Sequence, residues 1–322
     1  MKISIVFFGT PEFAKESLSR LYNDPRVNVK GVVSAPDRES GRGLQTKQSE
    51  VAAFAIENNI PLSQPSQLEG SDFIEILKTW NAAIFVVVAF RKLPKNVWSI
   101  PKSGTFNIHA SLLPAYRGAA PIQWAIANGE SLTGVTSFFI NDVIDAGDVI
   151  LQLEVRIGEN ETISSLYTQL KNAGASLALE TILAISEDRI IRIEQKMEGI
   201  EKKAPKIFSE FGHLELLNNL NEIHNRIRAC DALPGASIPM INSINGRIKL
   251  FDSEIINNYE SNYYSNHIQL LISDKQIIIT QDSIALKIGS VQWPGKRRMD
   301  TFEFVKGFRE RGVFKIISKK KT

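Results

Sequence analysis

Nine consecutive apolar residues, Ala82 to Phe90, constrain this chain more than any other stretch. The run is about half the roughly 20 residues that a membrane-spanning helix needs, so the protein itself must cover it. Its Ile-Phe-Val centre suits a strand, and a strand that is apolar on both faces needs cover on both. A central parallel strand between layers of helices meets that demand.

The flanking sequence supplies the layers. Lys2 to Phe8 is an apolar run, after which Thr10, Pro11 and Glu12 read as N-cap, first-turn proline and first-turn acid. The helix Pro11 to Tyr22 carries Phe13, Leu18 and Leu21 at helical spacing. Val29 to Ser34 is a second strand, followed by helices Glu50 to Asn58 and Ser71 to Trp80. Thr105 to His109 and Val135 to Ile140 continue the sheet, with a helix Pro121 to Asn128 between them. A long helix, Thr162 to Ile185, closes the region. Such alternation predicts a doubly wound, Rossmann-like α/β domain over residues 1–191. Its first turn holds Gly9 but no G-x-G-x-x-G, which weighs against dinucleotide binding.

Character changes over 192–206, where Lys196, Gly199, Lys202, Lys203 and Pro205 mark an extended linker. Residues 207–322 then give one helix, Asn219 to Ala229, the turn Pro234-Gly235, and several short strand-like runs. Ser237–Ile241, Arg247–Phe251, Lys275–Ile279 and Ile284–Val291 predict a small OB-like β-barrel. Asp300 and Glu303 form a capping-box-like pair opening a last helix, which Gly312 is expected to end.

In an open α/β sheet, ligands bind beyond the carboxyl ends of the strands. Asn107 and His109 fall at such an end, two residues apart and therefore on one face. An amide can donate a fixed hydrogen bond to a carbonyl oxygen, and an imidazole can carry a proton near neutral pH. The pair suits acyl transfer and calls for a carboxylate. The four histidines lack ligand-like spacing, and a single cysteine, Cys230, excludes an internal disulfide. No metal site is expected. The first residues read as a strand rather than a signal peptide, and the composition as that of a cytoplasmic, non-membrane protein. Net charge is only +3, yet Leu286 to Thr322 holds eleven Lys or Arg against three Asp or Glu. A basic end on a near-neutral body suggests a polyanionic partner.

An ordered set of motifs then carries a family resemblance across nearly the whole chain. Phe7-Phe8-Gly9-Thr10-Pro11-Glu12-Phe13-Ala14 is followed by Pro36-Asp37-Arg38 and Gly41-Arg42-Gly43. Asn107-Ile108-His109 comes next with Ser111-Leu112-Leu113-Pro114, then Arg117-Gly118-Ala119-Ala120-Pro121-Ile122. Asp145-Ala146-Gly147-Asp148 and Pro294-Gly295-Lys296-Arg297 complete the set. In these the chain resembles the methionyl-tRNA formyltransferases.

The resemblance implies transfer of a formyl group from 10-formyltetrahydrofolate to the amino group of methionyl initiator tRNA, by a monomer. It places Asn107, His109 and Asp145 at the catalytic positions. Asn107 would stabilise charge on the formyl oxygen, and Asp145 would hold His109 in a useful tautomer. Asp142 and Asp148 compete for the carboxylate role on spacing alone. The folate would lie against Val88-Ala89-Phe90, the segment Ser111, Leu112, Leu113 and Pro114, and the loop containing Asp142. Leu113-Pro114 suits either a cis or a trans turn. The tRNA would meet Arg38 and Arg42 in a Gly-rich loop, and Lys296, Arg297 and Arg298 in the second domain. Two departures stand out. Phe90-Arg91 replaces a Tyr-Gly pair, leaving Arg91 either exposed or on the folate's glutamate tail. His213-Leu214-Glu215-Leu216 stands where relatives often show an Ile-Asp-Trp-like segment.

Three rivals remain. Another folate-dependent formyltransferase, acting on a nucleotide sugar or purine precursor, would share Asn107, His109 and Asp145. A non-catalytic RNA-binding protein would not need them. A Rossmann oxidoreductase would need dinucleotide-binding glycines that this chain lacks.

Overall fold

A computed structural model of the chain describes residues 2–40, 45–196, 202–239, 246–259, 267–308 and 312–315. They group into two compact units. One comprises Met1–Pro121, Leu132–Arg156 and Thr168–Ala204; the other comprises Ile122–Ser131, Ile157–Tyr167 and Pro205–Thr322.

The first unit follows the alternation. Its elements are β1 (Ile3–Gly9), α1 (Glu12–Asn23), β2 (Val27–Val33), the short hairpin β3 (Arg38–Ser40) and β4 (Gln45–Lys47), and α2 (Glu50–Glu57). Then come β5 (Leu62–Ser63), α3 (Ser71–Trp80), β6 (Ile84–Val88), α4 (Lys95–Trp98) and β7 (Thr105–His109). The chain then passes through α5 (Pro121–Ala127), which belongs to the second unit from Ile122 on, before strands β8 (Leu132–Phe139) and β9 (Val149–Arg156) of the first; α6 (Ile163–Ser186) belongs to the first unit from Thr168 on. The seven-stranded sheet runs β5-β2-β1-β6-β7-β8-β9.

Every residue of β6 is buried, and the strand pairs in parallel with β1 on one side and β7 on the other. On one face Phe8 and Phe85 meet with ring centroids 5.2 Å apart and pack with Val6, Val87, Phe73 and Leu77. Each such side chain contributes about 1.5–3 kcal/mol by leaving water.

Three local expectations change. Pro11, not Thr10, is the N-cap of α1, and its carbonyl accepts the first helical bonds from Ala14 and Lys15. β8 runs antiparallel to β7, with His109 opposite Thr136, so the sheet is mixed at this edge. β9, unforeseen in sequence, pairs antiparallel with β8. Beyond Ile150 its residues alternate between apolar and polar, as an edge strand's do, and most of them are exposed.

The second unit contains α7 (Leu220–Ala229), β10 (Ala236–Pro239), β11 (Arg247–Ile256), β12 (Gln269–Ile272), β13 (Ile277–Gln281), β14 (Ile284–Gln292), β15 (Met299–Asp300), α8 (Thr301–Gly307) and β16 (Gly312–Lys315). The strands form one antiparallel sheet in the order β10-β11-β14-β13-β12-β16, with β15 on β14. This is the small barrel-like domain expected. Ile223 and Ile227 of α7 pack with Leu250, Ile279, Leu286 and Ile288. Asp300 caps α8 by accepting from the Phe302 N–H, but Glu303 pairs with Lys306. The helix ends at Gly307 rather than Gly312, because Phe308 turns into an aromatic cluster with Phe304 and Trp293.

Candidate active site

β7 positions the two polar groups. Phe106 and Ile108 are buried on its other face, while Asn107 is half-buried and His109 is 7% exposed. Among the described residues the Asn107 carboxamide has no hydrogen-bond partner, leaving it open to a ligand.

His109 Nε2 lies 2.9 Å from the carbonyl of Tyr116. A carbonyl only accepts, so Nε2 carries the proton and Nδ1 is the free nitrogen of the neutral ring. Nδ1 faces Asp145 Oδ2 at 3.9 Å, an ion-pair approach rather than a hydrogen bond. The expectation that Asp145 sets the tautomer is therefore corrected: the backbone of Tyr116 sets it, and Asp145 stands where a proton taken up at Nδ1 would point.

Asp145 is held from two sides. The Gly118 N–H donates to its Oδ2 at 3.1 Å, and Gln195 Nε2 donates to its carbonyl at 3.1 Å. Its backbone is left-handed, with φ 54°. Gly118 has φ +129°, and a Cβ there would sit 2.4 Å from the Ala204 carbonyl. At Gly147 a Cβ would sit 1.6 Å from the Phe139 carbonyl, so only glycine lets the chain turn back into β9. Among the described residues, neither competing carboxylate pairs with His109. Asp142 is exposed at the end of a 4.0 Å pairing with Lys95, and Asp148 makes no ion pair among the described residues.

The loop after β7 is pinned to β8 and β9. Thr136 Oγ1 donates to the Ser111 carbonyl and accepts from the Leu113 N–H, and Gln152 Nε2 donates to the Leu113 carbonyl. The Leu113–Pro114 peptide is cis. Ser111 is fully buried and its hydroxyl donates to the Ala115 carbonyl at 2.7 Å, so that side chain holds the loop. Leu113 is also buried, whereas Leu112 and Pro114 are partly accessible.

Val88 ends β6 inside the core, and Ala89 leaves it exposed with φ 48°. Phe90 packs on Phe8 at 5.8 Å. Arg91 is half-buried: its guanidinium donates to the carbonyls of Ser66 and Pro65 at 2.9 and 2.7 Å. It lines a 790 Å³ cleft with Lys92, Lys95, Trp98, Glu69 and Asp142. Beside Asp145, Val143 and Ile144 are 64% and 61% exposed, an apolar surface of the kind that covers a flat ring.

The basic residues divide. Lys296 and Arg297 are exposed, and neither makes an ion pair among the described residues. Arg298 instead bonds Asp252 at 2.6 Å, Asp231 at 3.0 Å and Ser290 at 2.7 Å, with its guanidinium 4.2 Å from the Phe251 ring centroid. Partial burial opposes its charge, but the bonds and attraction of Asp252, then Asp231, win and raise its pKa. The expectation that Arg298 contacts phosphate is therefore corrected: three of its five N–H donors are committed and its charge is paired with two carboxylates. Arg38 lies in β3, and Arg42 falls outside the described residues, as does the lysine run 319–321. Glu215 is held by Arg247 at 2.8 and 2.6 Å; burial opposes its charge, but this pairing keeps the carboxyl below its usual range.

Cys230 is fully buried, and burial pushes its thiol up to about 12, far from nucleophilic use at neutral pH. Among the described residues no helix is long and apolar enough to cross a membrane, and no group of three or more His, Cys, Asp or Glu could hold a metal ion. Sequence reading missed the Tyr116 carbonyl, the Gly118 N–H and Gln195. The first two are backbone groups, and Gln195 sits in a stretch whose composition signals only a linker.

The sequence model of the formyl transferase family matches residues 1–182, and that of the formyl transferase C-terminal domain matches 206–309. Methionyl-tRNA formyltransferase of Bacteroides thetaiotaomicron is 38% identical over 319 residues, covering 98% of both chains. That of Flavobacterium johnsoniae is 39% identical over 308 residues, covering 95% of this chain and 96% of its own. Among solved structures, a sugar 3N-formyl transferase with dTDP and 5-N-formyl-THF superposes with a TM-score of 0.64 at 24% identity, over 92% of this chain and 100% of that one. An N-formyltransferase from Helicobacter canadensis, with folinic acid and dTDP-3-aminofucose, gives 0.63 at 22% identity over 89% and 98%. At those identities the structures share the fold.

Proposed function

The chain belongs to the methionyl-tRNA formyltransferase family, and from that premise we propose that it transfers the formyl group of 10-formyltetrahydrofolate to the amino group of methionyl initiator tRNA, supporting translation initiation. The observation that carries this is the near-full-length identity to named methionyl-tRNA formyltransferases, through both the catalytic and the C-terminal domain.

The site geometry supports a division of labour. As the amine adds to the formyl carbon, negative charge gathers on the formyl oxygen. Asn107, with its carboxamide uncommitted, donates a hydrogen bond there, and a preplaced donor of this kind is typically worth about 10²–10³ in rate. His109 accepts the amine's proton at Nδ1, the nitrogen left free by Tyr116. The resulting imidazolium faces the Asp145 carboxylate. His109 then returns the proton to the folate nitrogen as its bond to the formyl carbon breaks. No covalent bond to the protein is needed.

The folate lies against Ala89 and Phe90, the loop carrying Leu112 and Pro114, and the exposed Val143–Ile144 surface; Val88, buried in the core, stands behind them. Residues 1–191 carry the chemistry, 207–322 hold the acceptor RNA, and 192–206 join them. Lys296 and Arg297 contact phosphate, as do Arg38 and Arg42 near the acceptor end. The protein works as a cytoplasmic monomer.

The deciding experiment offers the protein 10-formyltetrahydrofolate with initiator Met-tRNA, elongator Met-tRNA and a dTDP-amino sugar in parallel. Formylation confined to initiator Met-tRNA is expected. Formylation of the sugar with neither tRNA modified would replace the proposed acceptor.

A further inference from the structure

We infer that Gln195 is a positioning residue for the transfer, acting through Asp145, so that the described residues just after the long helix α6 are a working part of the active site. This rests on the catalytic reading of Asp145 given above.

Gln195 uses its full hydrogen-bonding capacity. Its Oε1 accepts from Arg117 Nε at 3.0 Å and Nη2 at 2.6 Å. Its Nε2 donates to the carbonyls of Asp145 at 3.1 Å and Gly147 at 2.7 Å. Two acceptor sites and two donors are what a primary amide possesses, and here all four are filled. The orientation is fixed as well. Two cationic donors on one side and two carbonyls on the other admit only one placement of oxygen and nitrogen. Polarisation by the guanidinium strengthens the two bonds the amide donates.

The loop it grips needs such a clamp. Asp145 holds a left-handed backbone, φ 54°, a conformation that is unfavourable for a residue other than glycine. Residues 141–144, just before it, are exposed. Among the described residues, Gln195 is the only side chain that bonds the backbone of Asp145 or Gly147.

The clamp also closes a ring. Arg117 grips Gln195, Gln195 grips the Asp145 backbone, and the Asp145 carboxylate accepts from Gly118, the residue after Arg117. The same strip is stitched again further on. The Tyr116 N–H donates to the Lys202 carbonyl, the Ala204 N–H to the Arg117 carbonyl, and the Ala120 N–H to the Ala204 carbonyl. Tyr116 is in turn the residue whose carbonyl orients His109. Both partners of the His109–Asp145 pair thus depend on Gln195, Lys202 and Ala204. Releasing Gln195 frees the Asp145 backbone and lets its carboxylate drift from Nδ1.

The test compares Gln195→Met, which keeps the length and removes all four bonds, with Gln195→Glu, which keeps the Arg117 contact and loses both donated bonds. Both should lower kcat about ten- to a hundredfold, the scale of a 1 Å misplacement of a reacting group, with KM for tRNA and folate changed less than about twofold. In an Asp145→Ala background Gln195→Met should cost nothing more, because the two act as a unit. Hydrogen exchange of the peptide spanning 116–120 should quicken in Gln195→Met as it does in Asp145→Ala, since the Gly118 N–H loses its acceptor. Unchanged kcat, a full additional loss in the Asp145→Ala background, or unaltered exchange would each overturn the role. If the parent chain does not formylate Met-tRNA, the proposed reaction falls, and the exchange measurement alone still decides whether Gln195 holds Asp145.

Discussion

His109 and Asp145 face each other at 3.9 Å, Nδ1 to Oδ2, while the opposite ring nitrogen is tied to the Tyr116 carbonyl at 2.9 Å. The ring is thereby fixed in the tautomer that leaves Nδ1 free, and a carboxylate waits on that side. An imidazole so held can accept a proton in one direction only.

His109→Ala and Asp145→Asn should therefore lower kcat by about 10²–10⁴ and leave the affinity for tRNA within about twofold. Steady-state kinetics beside filter binding would separate the two. Lost affinity with intact turnover would remove both residues from the chemistry.

Asn107→Ala removes the one uncommitted donor on this strand. A loss of about 10²–10³ in kcat is expected, with no fall in melting temperature, because the carboxamide has no partner among the described residues. A fall in melting temperature at constant kcat would make it a structural residue.

Lys296 and Arg297 should behave differently from Arg298. Replacing Lys296 and Arg297 by Gln should weaken tRNA binding and flatten its salt dependence by about 0.7–0.9 slope units per lost phosphate contact. Arg298→Met leaves Asp231 and Asp252 without their shared cation. It should lower the melting temperature by about 2–4 °C, corresponding to about 1 kcal/mol, and leave the salt slope unchanged. A changed slope in Arg298→Met would return that residue to the RNA interface.

His224 should make the second unit acid-sensitive. It is 2% exposed, its Nδ1 bonded to Ser253 Oγ at 2.8 Å and its Nε2 to the Glu159 carbonyl at 3.0 Å. Burial lowers its pKa below the ordinary 6.5; the bond to Glu159 opposes this and the nearby Arg228 charge adds to it. The unfolded chain then takes up a proton at a higher pH than the folded one. Its contribution to stability is full above 6.5 and is lost as the pH falls towards the lower, folded value. Melting temperature should drop between about pH 7.5 and pH 5, and His224→Gln should show a shallower drop over that range. Equal slopes would mean that the folded and unfolded states protonate this ring alike.

Much of this was legible in the chain. The burial of Ile84, Phe85, Val86, Val87 and Val88 follows from a run too apolar to face water and too short for a membrane. The two-residue spacing of Asn107 and His109 placed them on one face, because strand side chains alternate. What escaped has a physical reason. β9 is an edge strand whose alternating apolar positions do not mark a buried face, Leu153 being 42% exposed. Arg298 looked like its neighbours because a cationic side chain does not announce whether carboxylates lie within reach.

Local periodicity and side-chain chemistry were enough to specify the layered α/β domain, the barrel-like domain and the residue types of an acyl-transfer site. Three further choices were made only when distant segments came together. They are which nitrogen of His109 is free, which of three nearby aspartates faces it, and that Gln195 holds that aspartate. Backbone carbonyls and amides make those choices across many residues of separation, and a backbone group carries no signature in the sequence.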